Sequence, residues 1–100
     1  MMARHDTLKI LVRLARELRD TWRIRASLRL VGDDHGTIGV QVGEHPRALV
    51  WIESTARGGH AWAHSLAWGQ PCERVDEDGA IEIAHQIAMW GSGVGPEWAD

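Results

Sequence analysis

The stretch His60-Ala61-Trp62-Ala63-His64-Ser65-Leu66-Ala67-Trp68-Gly69 decides how this chain is read. Taken with a period of two, it sets His60, Trp62, His64, Leu66 and Trp68 on one face and Ala61, Ala63, Ser65 and Ala67 on the other. Successive side chains of a strand point to opposite faces, so the pattern predicts a strand over 60–68 with one bulky and one methyl-sized side. The small side lets another layer approach closely. The bulky side fills a core, an interface or a pocket.

Working outward, Arg57-Gly58-Gly59 is a tight turn that joins this strand to residues 47–55. That run is apolar on both faces through Leu49, Val50, Trp51 and Ile52, as suits a central strand covered on both sides. Glu44-His45-Pro46 separates it from Ile38, Val40 and Val42, which alternate with Gly39, Gln41 and Gly43. Gly32-Asp33-Asp34-His35-Gly36 supplies the preceding turn. Residues 22–31 alternate again, with Trp22, Ile24, Ala26, Leu28 and Leu30 on one face and Arg23, Arg25, Ser27 and Arg29 on the other. The expectation is a half-buried antiparallel strand with a cationic outer face.

Two helices flank these strands. In residues 6–20, Leu8, Leu11, Ala15 and Leu18 recur at helical spacing, widened by Ile10 and Leu14, with Lys9, Arg13, Arg16 and Asp20 opposite. Asp6 or Thr7 is the expected N-cap. After Gly69-Gln70-Pro71 ends the sheet, Asp76-Glu77-Asp78 opens a second helix running to Trp90, with Ala80, Ile83, Ala84, Ile87 and Trp90 on one face. Gly91 is its expected C-cap, and residues 92–100 form a glycine-rich tail. The order αββββα predicts a single α+β domain over residues 1–91, an antiparallel meander with both helices on one face. Its predicted core contains Leu11, Leu18, Ile24, Leu28, Val50, Ile52, Ile83 and Ile87.

The 100 residues, 44% hydrophobic and 25% charged, describe an ordinary globular domain large enough for one core. No apolar run is long enough to span a bilayer, and Lys9, Arg13 and Arg16 interrupt the first apolar stretch, so neither a membrane span nor a signal peptide is expected. Cys72 is the single cysteine, which excludes an internal disulfide and fits a cytoplasmic location. All six aromatic residues are Trp, Asn is absent, and Lys9 is the only lysine beside ten arginines, a usage that indicates a GC-rich genome. The net charge of −3 is unevenly placed: residues 1–30 carry eight basic and three acidic groups, the remainder three basic and eleven acidic. Such a split serves self-association, contact with an acidic partner, or merely solvation.

Candidate chemistry is sparse. His60 and His64 would chelate on a helix, but four strand residues separate them by about 13 Å, against roughly 3–4 Å between donor atoms on one zinc. No metal site or cofactor is therefore assigned. Cys72 lies beside acidic groups that raise a thiol pKa, and Ser65 has no G-x-S-x-G context. Asp33-Asp34-His35-Gly36 is explained by a hairpin turn, and Gly91-x-Gly93-x-Gly95 follows a helix where a phosphate loop would precede one. No catalytic residue emerges. Arg23, Arg25 and Arg29, with Arg13, Arg16 and Arg19 on the helix, form the best nucleic-acid candidate, opposed by overall acidity and the lack of a stacking aromatic on the arginine face. Trp51, Trp62 and Trp68, with His60 and His64 as polar neighbours, are the candidate binding residues, because Trp buries large area at little entropic cost. The competing reading places these indoles in the core.

Trp62 with Ala67-Trp68-Gly69-Gln70-Pro71, followed by an acidic cluster and Ile83-Ala84-His85-Gln86-Ile87-Ala88, resembles a group of short actinobacterial proteins. These pair an amphipathic N-terminal helix with a small sheet ending in a Trp-x-Trp-Gly-Gln/Glu strand and a closing helix. The likeness covers residues 45–90. The chain departs from the group in having Ala67 where a richer aromatic run is usual, and in its glycine-rich hairpin at 32–43. The group has no established activity, so the resemblance implies fold and origin only. The expected function is a non-enzymatic protein-interaction or regulatory module, self-associating as a homodimer through the Trp face or a sheet edge. A small-ligand or metal-binding protein using the Trp/His strand, and a nucleic-acid binder, are the alternatives.

Overall fold

A computed structural model describes residues 4–31, 37–44, 48–54, 56, 58–64 and 74–94. Helix α1 spans Arg4–Asp20, followed by strands β1 (Ala26–Leu30), β2 (Ile38–Val42), β3 (Leu49–Ser54) and β4 (His60–His64), and by helix α2 (Glu77–Val94). The strands pair antiparallel in the order β1-β2-β3-β4, which is the expected meander and the expected α+β class. Register fixes the faces. Ala26 pairs with Val42, Leu28 with Val40, Val40 with Val50, and Ile52 with Trp62, so these residues share one side of the sheet.

Both helices lie on that side. Ile10, Leu11, Leu14, Ala15 and Leu18 of α1 and Ala80, Ile83, Ala84 and Ile87 of α2 form one cluster with Ala26, Val40, Val42, Val50, Ile52 and Trp62. The alanines on α2 let the two helices pack closely, and burying the larger side chains supplies about 1.5–3 kcal/mol each. Trp22 adds a tilted ring contact to His85 with centroids 5.5 Å apart.

Several expectations need correction. Trp22–Arg25 lie outside β1, which starts only at Ala26. Arg23 has φ 57°, the left-handed region, and the Ile24 N–H donates back to the Leu18 carbonyl at 2.9 Å. The segment thus caps α1 where alternation alone suggested strand. Leu28, assigned to the core, is 41% exposed, and Leu30 is 67% exposed, because α1 packs over the Ala26 end of β1 and leaves its far half bare. Ile24 is only partly buried. Helix α2 continues through Gly91 and Gly93 to Val94, so Gly91 is not its C-cap. Helical bonding there outlasts a propensity cost of about 1 kcal/mol per glycine. The described part of β4 ends at His64, and Ser65–Trp68 lie outside the described residues.

Candidate functional site

The expected Trp/His cluster is divided by the sheet. Trp62 pairs in register with Ile52 on the helix side, whereas Trp51 pairs with Gly39 and Ala63 on the opposite side. Trp62 is 5% exposed, and its indole N–H donates to the Arg74 carbonyl at 2.8 Å. It is a core residue that ties β4 to the chain leading into α2, so it has no surface to offer a partner. Trp51 is half-buried on the other face, where its indole N–H donates to the Glu53 carboxylate at 3.3 Å. A β-carbon on Gly39 would sit 2.7 Å from Val31 Cγ2, 2.8 Å from the Val50 carbonyl oxygen and 3.1 Å from Trp51 Cβ, so the backbone approaches closely only because that position is glycine. His60 and His64 flank Trp62 on β4, opposite Ser54 and Val50 respectively, and His60 is half-buried. Trp68, Cys72, His35 and His45 fall outside the described residues. Among the described residues, no group of three or more His, Cys, Asp or Glu is gathered closely enough to hold a metal ion.

The arginine stripe is also dispersed. Arg25 is ion-paired to Glu44, and Arg29 donates to the Gln41 side-chain oxygen. Arg13 is paired with Glu17 at 3.5 Å, one helical turn on. Arg23 stands off the strand in its left-handed turn. Arg23 and Arg25 therefore line a cleft with Arg19 at the end of α1, while Arg29 belongs to the sheet face.

The largest departure from the sequence reading is the free side of β1. Ser27, Leu28, Arg29 and Leu30 are all exposed. The Gly43 N–H donates to the Arg25 carbonyl at 2.6 Å and the Val31 N–H to the Thr37 carbonyl at 3.0 Å. Antiparallel pairs alternate between bonded and non-bonded positions, so odd-numbered residues of this segment face β2. The backbone groups of Ala26, Leu28 and Leu30 point away from it, and among the described residues no strand lies beyond β1. Leu28 and Leu30 thus combine an exposed apolar side chain with an outward-facing main chain. Alternation put both on the apolar face and made Leu28 a core candidate; a strand longer than the helix layer above it was the missing information.

Comparison of the chain with protein-family models, with curated proteins and with solved structures finds no match.

Proposed function

We propose that the chain is a non-enzymatic interaction module whose first partner is a second copy of itself, joined through β1. The observation that supports this is the bare edge of β1, where the outward main chain of Ala26–Leu30 coincides with exposed Leu28 and Leu30. An unpaired edge of this kind is a template for another strand, and Ala26-Ser27-Leu28-Arg29-Leu30 carries no lysine or proline and a single charge, Arg29, whose guanidinium is drawn inward to Gln41 of β2. Two copies paired antiparallel about Leu28 set Leu28 against Leu28, Ala26 against Leu30 and Ser27 against Arg29. Each of the even-numbered pairs can exchange two main-chain hydrogen bonds, and no like charges meet directly within the strand. The result is a continuous eight-stranded sheet, an isologous contact with two-fold symmetry.

The interface is small, so a weak dimer is expected, with a dissociation constant of roughly 1–100 μM. Sedimentation of the full chain across that range checks it. Leu28→Lys places two ammonium groups at the two-fold axis and Leu30→Lys puts a charge on an exposed position; both should stay folded and monomeric. A wild-type chain that remains monomeric throughout, or a Leu28→Lys chain that dimerises as well as wild type, would overturn the reading. Raising the salt should leave wild-type association nearly unchanged, because the contacts are main-chain and apolar.

A further inference from the structure

We propose that the cleft between the end of α1 and the start of β1 is an anion site for the phosphate groups of a small phosphorylated molecule. The cleft measures about 700 Å³, within the ordinary range for small-molecule sites. Arg19, Arg23 and Arg25 line it together with Glu44, Ser27, Gln41 and Ile24. Three guanidinium groups face one carboxylate around this concavity, which leaves the lining net positive, and guanidinium is the side chain best matched to phosphate oxygens. Arg25 has its counter-charge in Glu44, but Arg19 and Arg23 have no acidic partner among the described residues. Gln41, buried and held by its donation to the Gly43 carbonyl at 3.2 Å, gives the cleft a rigid polar wall, and Ile24 adds an apolar one.

The backbone supplies an independent observation. Arg23 holds φ 57°, a conformation that glycine adopts without strain and a long side chain does not. Helices commonly end on glycine at such a position, and here it carries an arginine that lines the cleft. Strain kept at a residue facing a cavity is the pattern of a functional clamp. A polynucleotide fits less well: Arg13 and Arg29 are engaged elsewhere, so positive charge does not extend along a track, and the chain as a whole carries −3.

Calorimetric titration of the full chain with pyrophosphate, with adenosine triphosphate and with a single-stranded oligonucleotide tests the assignment. Wild type should bind the first two at submillimolar concentration. Arg19→Ala and Arg23→Gly should each weaken binding by about tenfold or more, a loss of one charge-assisted contact. Lys9→Ala, which removes a charge at the far end of α1, should not change it. Arg23→Gly should also raise Tm, relieving the strained turn while losing the ligand. Absence of binding at millimolar pyrophosphate, or binding by Arg23→Gly equal to wild type, would overturn the proposal. So would an oligonucleotide that binds more tightly than either small probe with affinity growing with its length. Ala26 and Ser27 belong both to the cleft lining and to the β1 edge, so the titration is repeated on Leu28→Lys, which presents the same cleft in a monomer and separates failure of the site from failure of the dimer.

Discussion

Trp62 and Gly39 show how single residues carry the geometry of the sheet. The Trp62 indole is enclosed by the core and its N–H is committed to the Arg74 carbonyl. Trp62→Phe should cost about 1–3 kcal/mol, mostly from leaving that carbonyl without its partner, whereas Trp62→Ala should cost about 3–5 kcal/mol because it also opens a cavity. Urea unfolding followed by circular dichroism separates the two. A cost near zero for Trp62→Phe would mean that water replaces the indole. Gly39→Ala forces its new methyl group against the Val50 carbonyl oxygen, which belongs to a paired strand and cannot swing aside. We expect a loss of about 1–3 kcal/mol from that overpacking, read in the same way. The sequence places Trp62 on a bulky face and Trp51 on the neighbouring strand without revealing that the register sets them on opposite sides. Pairing register is a relation between strands, and periodicity within each strand does not contain it.

At the scale of elements, the start of α2 is held by side chains close in sequence. Asp76 caps the helix by accepting the Gly79 N–H at 2.7 Å, and the Arg74 guanidinium bonds Asp76 at 2.7 Å and Asp78 at 3.1 Å. The Arg74 hydrogen bond, reinforced by the Gly79 N–H, holds the Asp76 carboxyl below the usual carboxylate range. A carboxyl whose pKa is lowered by folding stabilises the fold above its unfolded pKa, and that contribution fades as pH falls through the folded value. Asp76→Ala should therefore lower Tm by a few degrees at neutral pH, with the gap from wild type narrowing below about pH 4. An unchanging gap across a pH series of thermal melts would place the effect elsewhere. Gly79 is fixed by the same junction, since a β-carbon there would lie 1.8 Å from the Arg74 carbonyl oxygen. Asp76-Glu77-Asp78 was legible as a helix start because capping is local chemistry. The end of α2 beyond Gly91, and the exposure of Leu28 and Leu30, were not, because each depends on what another element covers.

For the whole molecule, the meander has a kinetic consequence. Every strand pairs with its neighbour in sequence, so each hairpin closes a short loop and can form early. The two helices are the exception: α1 opens the described chain, α2 closes it, and they meet in one cluster with a side contact from Lys9 to Glu77 at 4.0 Å. During synthesis α1 can pack on β1 and β2 early, whereas the part of its apolar face that meets α2 stays uncovered until residues 77–94 emerge. Docking of α2 should follow the rate-limiting step of refolding. Ile87→Val, a loss of about 0.5–1.5 kcal/mol, should then accelerate unfolding and leave the refolding limb of a stopped-flow chevron almost unchanged, whereas Val50→Ala should slow refolding. Equal slowing of refolding by both variants would place α2 in the folding nucleus.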